Sequence, residues 1–384
     1  MTKSEQNQIP LERWQKTALG AGAVGLAASL IGAFVSTQQF FISYLTSFIF
    51  WLGLSLGSLA WLMVHHLTLG TWTTMIKRIL EGATRVIPYM AIMFLPIFFG
   101  LSSLYQWANP AVVAVDPILQ HKAWWLNLPF FGIRVAIYFI LWTLLMRGLN
   151  KINDEFNTES HQRGIAVAGP GMLVYFLTVT FSAVDWVMSL YPHWASTMHG
   201  VFFIIGNGLS VLVFSILVLR VFSDYEPFKS VVETMHFHDL GKLTFGITVF
   251  WTYINFGQFL IVWSANLPEE APWYLTRVTP GWLWFTVALF LFHFALPFGV
   301  LLSRNVKRQK ASLAIVAGWM FFMRICDMYW HIHPAFTSTV AFHWLDVATY
   351  VGVGGIWLGL FFYQLRQKPL LPPYLPEVHD PHGH

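Results

Sequence analysis

The sequence predicts an all-α fold, a polytopic membrane bundle of about ten transmembrane helices with both termini cytoplasmic. Three observations predict it. Of the 384 residues 56% are hydrophobic and only 10% are charged, where soluble domains carry about 25% charged residues. The apolar residues gather into runs long enough to cross a bilayer, which takes about 20 residues. Lys and Arg fall almost wholly on one side of those runs, as a topology signal does.

Ten runs qualify, at 18–36, 41–64, 84–105, 124–147, 164–190, 197–222, 241–265, 280–303, 311–330 and 341–363. Short loops join them, so the chain divides into a cytoplasmic N-terminal segment (1–17), one membrane domain (18–365) and a Pro- and His-containing cytoplasmic tail (366–384), with no loop long enough for a second domain. The first seventeen residues are polar and no small-residue cleavage site closes the first run, so a removable signal peptide is not expected.

Of the 22 basic residues, eighteen lie on the side assigned to the cytoplasm, from Lys3, Arg13 and Lys16 to Arg366 and Lys368. Lys122 and Arg277 lie on the other side, and Arg134 and Arg324 fall inside helices. Tryptophans such as Trp107, Trp125, Trp194, Trp273, Trp330 and Trp344 collect near the outer ends, as an interfacial aromatic belt does. Pro88, Pro96, Pro170 and Pro297 should bend or loosen the helices that contain them. The Pro-rich tail (Pro369, Pro372, Pro373, Pro376) should be extended. Its His379, His382 and His384 read as a solvated tract or as a metal-binding one.

The net charge of +4 comes from helix ends, so no nucleic-acid partner is implied. A single cysteine, Cys326, excludes a protein-ligated iron–sulfur cluster, a CxxCH haem site, a multi-cysteine zinc site and an intramolecular disulfide. Gly20-Ala21-Gly22-Ala23-Val24-Gly25 spells the dinucleotide fingerprint, but no strand precedes it. Close helix packing explains it better, as it explains Gly53-x-x-x-Gly57.

Charged groups inside apolar helices mark function by default. Asp185 lies near the outer end of helix five, just before a Tyr191-Pro192-His193-Trp194 turn. Tyr175, Thr178, Ser182, Asp185 and Ser189 share one face of that helix over about 21 Å. Such a stripe supports either a water file that passes protons or a set of hydroxyls bonded to their own backbone. Helix nine carries Arg324, Asp327 and His331 on one face, then His333. They read as a structural ion pair or as a titrating site. With His193, His199, His343 and Asp346, these residues and Asp185 should form one polar cluster in the outer leaflet. The helix 5–6 and 9–10 hairpins look like repeats, since each carries an Asp, an outer Pro and a His at the return helix.

A second set lies toward the cytoplasm: His65 and His66, with Glu81 and Arg85. Helix seven adds a stripe of Thr244, Thr248, Thr252 and Asn255. Arg134 and His293 sit near mid-membrane, where neither reaches water easily.

Ten helices, the stretch from Asp185 through Tyr-Pro-His-Trp194, and the Arg324-x-x-Asp327-x-x-x-His331 turn resemble the NrfD/polysulfide-reductase-type membrane subunits. The resemblance is nearest to the ActF type of alternative complex III and covers the whole membrane portion. It implies a subunit of a bacterial quinol:electron-acceptor oxidoreductase in the cytoplasmic membrane. Its partners would be an NrfD-like sister subunit, an iron–sulfur protein and c-type cytochromes, which carry the iron–sulfur clusters and haems. Quinone or quinol is the candidate ligand, with lipid around it; the sister subunit is the better candidate for the quinol site. Asp185, His193, His199, Arg324, Asp327 and His331 would then belong to an outer site for protons or quinone. Thr248, Thr252, Asn255 and the inner groups would supply the rest of a proton path. Two other readings stay open: a secondary transporter, from the repeats and buried charges, and a b-type cytochrome ligated by His199 and His343.

Overall fold

The computed structural model describes residues 9–68, 71–152 and 158–371. Lys3, the histidines at 379, 382 and 384, and the prolines from 372 onward lie outside the described residues. Ten helices are long and apolar enough to span a membrane: α1 (Leu11–Val35), α2 (Thr37–Thr68), α3 (Lys77–Phe99), α4 (Leu128–Asn150), α5 (Glu159–Leu190), α6 (His199–Phe222), α7 (Thr234–Ala265), α8 (Pro280–Leu302), α9 (Lys310–Ala335) and α10 (Trp344–Leu365). The protein is an all-α, multi-pass membrane helix bundle.

Four spans, α1, α3, α5 and α7, begin five or more residues earlier than hydropathy suggests. Helix α1 starts at Leu11 because Glu12, Arg13, Gln15 and Lys16 are good helix formers, and Glu12 and Lys16 pair at i,i+4 across 2.8 Å. Helix α3 starts at Lys77, so its first turns hold charged residues rather than oil. Pro88 and Pro96 do not kink one long helix there. Each sits in the first turn of a new segment, where its missing N–H costs nothing. Pro297 does the same after a π-helical stretch, Phe290–Ala295, that carries His293. Pro170 is inside its helix, as expected.

Helices α2 and α6 are the most deeply buried spans and form the core. They meet where Gly57 lies against Asn207; a Cβ on Gly57 would stand 2.4 Å from the Asn207 carbonyl oxygen. Around them, α2 packs with α3, α4 and α5, and α6 packs with α7 and α9. Helices α1 and α10 pack along each other at one side. There Gly22 and Gly25 face Gly352 and Gly355, so close that a Cβ on Gly25 would stand 2.5 Å from the Gly352 nitrogen. The glycine run of α1 is therefore a packing surface.

The paired hairpins need correction. Helix α5 packs on α6, but α9 packs mainly on α6 and α10 on α1 and α2. The two turns are alike, each ending in a short 3-10 turn (Met188–Leu190 and His333–Ala335).

Candidate functional site

Asp185 is fully buried and is held from α4. The Arg134 guanidinium donates from Nε to Oδ2 at 2.8 Å and from Nη2 to Oδ1 at 2.9 Å. The Tyr138 hydroxyl donates to Oδ2 at 2.7 Å and Trp125 Nε1 to Oδ1 at 2.9 Å. Four donors satisfy both oxygens of a carboxylate. Arg134 is satisfied in turn: Nη1 donates to the Trp125 carbonyl at 2.8 Å, and its carbon lies 4.2 Å from the centre of the Trp125 ring. Sequence reasoning placed Arg134 alone at mid-membrane and Asp185 in a cluster with Asp327. Instead the two neutralise each other between α4 and α5. Trp125 and Tyr138 were missed; Tyr138 lies one helical turn after Arg134 on the same face, which was the available signal.

The hydroxyl stripe shares a face but is not a file of free hydroxyls. Thr178 donates to the Val174 carbonyl at 2.7 Å and accepts from Trp142 Nε1 at 2.8 Å. Ser182 donates to the Val179 carbonyl and Ser189 to that of Asp185. Among the described residues only the buried Tyr175 hydroxyl of this stripe lacks a partner. On α7, Thr244, Thr248, Thr252 and Asn255 likewise donate to carbonyls four residues back. Membrane helices satisfy such groups locally because no water competes.

Asp327 is arranged differently. Its arginine comes from its own helix: Arg324 Nη1 makes a close ion pair with Oδ2, and both side chains are buried. Arg324 Nε donates to Ser210 on α6 at 3.1 Å, and Gly206 leaves the room for the guanidinium, since a Cβ there would stand 2.3 Å from Nη2. The other oxygen, Oδ1, lies 3.5 Å from His331 Nδ1. With the proton assigned to Nδ1, that nitrogen donates to the Asp327 carbonyl at 2.9 Å. His331 Nε2 is buried with no partner among the described residues. Beside it, 6.4 Å between ring centres, stands His199, both of whose nitrogens are unpartnered among the described residues. His293 is also buried with both nitrogens unpartnered, its ring 4.2 Å from that of Trp251. It stands within electrostatic reach of Asp327 and His331.

The remaining outer residues divide into two further groups. Asp346 accepts from Ser43 Oγ, from Gln39 Nε2 at 3.2 Å and from the His343 N–H at 2.9 Å. His343 Nδ1 accepts from the Leu345 N–H at 3.2 Å. The pair thus caps α10, and His343 is used there rather than facing His199 across a haem. His333 stacks on Tyr329, 3.7 Å between ring centres, with Nε2 3.9 Å from Asp346. His193 sits at the surface, 2.7 Å from Asp116 in the loop before α4. The single outer cluster expected from the sequence is therefore four sites, and only Arg324, Asp327, His331 and His199 come together as expected.

The inner set falls into two groups, Glu81 with Arg85 and His65 with His66. Glu81 pairs with Arg78 at 2.6 Å and Arg85 at 3.3 Å, with Lys368 3.9 Å away. Arg85 also donates to Asn150 at 2.8 Å. His65 makes a close hydrogen bond to Thr73, and the His66 ring lies 5.3 Å from that of His65. These contacts tie α3 to α4, and α2 to the short helix Thr71–Thr74 that precedes α3.

Arg277 was counted only as an outer basic residue. It is fully buried, at the end of a short helix (Pro272–Val278) between α7 and α8. Its guanidinium carbon lies 3.6 Å from the centre of the Trp273 ring and 4.9 Å from that of Trp330. Nη1 donates to the Trp273 carbonyl at 2.8 Å and Nη2 to the His331 carbonyl at 2.9 Å. Among the described residues Nε has no partner and no carboxylate forms an ion pair with it. Burial pulls its pKa down to about 10, which leaves it charged at neutral pH. Arg277 and Asp327 both line a cavity of about 350 Å³ between α7, α8 and α9, whose other walls are mainly aromatic. Thr252 and Asn255 reach this cavity from α7.

Compared with known proteins, the chain matches no family model and no curated protein.

Proposed function

We propose that the chain is a cofactor-free membrane subunit of a bacterial quinol:electron-acceptor oxidoreductase of the alternative complex III type, seated in the cytoplasmic membrane. We propose further that its own contribution is proton handling at Asp327 and His331. The observation that carries this reading is the unfinished bonding around Asp327. One carboxylate oxygen belongs to Arg324, while the other faces an imidazole whose second nitrogen has no partner. The imidazole beside the carboxylate is the group there that would accept an arriving proton. His199, beside it and equally unpartnered, is the next station toward the outer side. Asp185 offers nothing comparable, since its four donors leave no site for a proton.

The cavity beside Asp327 fits a neutral quinone ring poorly. The carboxylate on its wall is already neutralised by Arg324, and the Arg277 charge would stay uncompensated. Quinol oxidation therefore falls to the sister subunit in this reading, with iron–sulfur and c-haem partners carrying the electrons. Each quinol oxidised releases two protons, and this chain would conduct protons in step with that turnover.

The test uses the assembled complex in sealed vesicles, with quinol oxidation and proton movement followed together. With Asp327→Asn, proton movement per electron should fall at least about tenfold. If both quantities stay unchanged the proposal fails. Solute uptake by the chain purified without partners would point instead to a secondary transporter.

A further inference from the structure

We infer that the cavity between α7, α8 and α9 holds an anionic amphiphile, its phosphate or carboxylate against Arg277 and its acyl chain along the exposed phenylalanines of α7 and α8. The charge on the wall comes first. Arg324 and Asp327 cancel as a pair, so Arg277 leaves the cavity with one uncompensated positive charge. Buried charges are ordinarily paired, because an isolated one loses its hydration without a replacement. The carbonyls of Trp273 and His331 and the neighbouring rings replace part of that hydration. They carry no negative charge, and Nε still lacks an acceptor. An anion at this edge of the guanidinium would supply both through a charge-assisted hydrogen bond.

The shape of the cavity supports a chain attached to that anion. Apart from Arg277, Asp327, Thr252, Asn255 and Thr286 its lining is apolar, and such a surface suits a hydrocarbon chain. Phe256, Phe259 and Phe290 line it and are also exposed on the outside of the bundle, so its mouth opens on the face that meets lipid. Arg277 lies in the segment between two spans, beyond their ends, while the phenylalanines lie on the spans themselves. Headgroup and chain thus have separate places in the order a lipid presents them. The outer-leaflet phosphate of a phospholipid and the carboxylate of a free fatty acid share this chemistry.

The test is native mass spectrometry of the purified full-length protein, with any subunits that accompany it, titrated with phosphatidylglycerol, with phosphatidylcholine of the same chains, and with palmitate. Phosphatidylglycerol should be retained at least tenfold better than phosphatidylcholine. Displacement of it by palmitate would identify a fatty acid as a second occupant of the site, and resistance would identify the phosphate as the recognised group. Arg277→Gln should abolish the preference. Val278→Trp, which fills the cavity and keeps the arginine, should abolish retention, and it stays informative if Arg277→Gln does not fold. Equal retention of the two phospholipids, or undiminished retention in Val278→Trp, would overturn the inference. So would a neutral quinone or an accompanying polypeptide found in the cavity in place of a lipid.

Discussion

Asp185 and Asp327 look like copies of one another. Each lies toward the outer end of a span, seven residues before a proline, and each is neutralised by an arginine. The arginine of Asp185 comes from another helix and grips both carboxylate oxygens, and a tyrosine and a tryptophan fill the remaining sites. The arginine of Asp327 comes from one turn earlier on the same helix, and an imidazole with a free nitrogen stands at the other oxygen. The first arrangement joins α4 to α5 and has no vacancy for a proton. The second joins nothing through the carboxylate itself and keeps a titratable neighbour. A buried acid in a membrane helix is thus a sign of chemistry only when its hydrogen bonds are incomplete.

The largest effect should come from breaking the complete pair. Asp185→Asn removes the charge that Arg134 needs, and stranding one partner of a buried pair costs about 3–5 kcal/mol. Chemical unfolding in detergent should show that loss. The double variant Arg134→Met/Asp185→Leu should recover most of it, because no charge is then stranded. If Asp185→Asn were as stable as the natural protein and instead stopped proton movement, the two sites would have to exchange roles.

A smaller effect is expected where α6 makes room for Arg324. Gly206→Ala places a methyl group against the guanidinium, and overpacking of this kind costs about 1–3 kcal/mol. The displaced arginine should also loosen its hold on Asp327, so proton movement should fall together with stability. Loss of stability alone, with proton movement intact, would separate Arg324 from the proton site.

His331→Gln sharpens the comparison from the other side. Glutamine keeps a polar side chain of similar reach but takes up no proton near neutral pH. Proton movement in vesicles should fall about tenfold, equivalent to about 1.4 kcal/mol in the barrier, while quinol oxidation and the unfolding midpoint stay close to natural values. A variant that conducts normally would leave His331 as packing.

The spans were legible in the sequence because they follow from local composition. Run length needs no knowledge of neighbours. The starts of α1 and α3 were misplaced for the same reason, since polar helix formers extend a helix without adding to its hydropathy. Asp185 and Asp327 stood out as charges in oil. Their difference did not, because it depends on which face α4 turns toward α5 and on the room left by Gly206. Arg277 was misread because its position in the chain suggested a loop at the water boundary, while Trp273, Tyr191 and Trp330 fold over it. The Thr and Ser stripes showed the limit of periodicity: the spacing gave the shared face correctly, but each hydroxyl already had a carbonyl four, or in one case three, residues behind it.

The smallest effect concerns a third aspartate, Asp116, at the outer surface. Its carboxylate accepts from the Ile118 and Leu119 N–H groups at 2.9 and 3.2 Å and meets His193 at 2.7 Å, while Lys122 donates to the Pro192 carbonyl beside it. Desolvation pushes this carboxyl up, but the Leu119 N–H and His193 outweigh it, so its pKa lies below the ordinary 3.8. A carboxyl lowered on folding contributes stability above its unfolded pKa and loses it as pH falls through the folded one. The contribution should therefore be whole at neutral pH and disappear only below about pH 4. Asp116→Asn isolates the charge, because asparagine caps the following helix equally well. Natural and variant proteins should differ slightly in unfolding midpoint at pH 7 and converge in acid. A difference that widened as the pH fell would mean that folding raises this carboxyl's pKa and that its neighbours do not favour its charge.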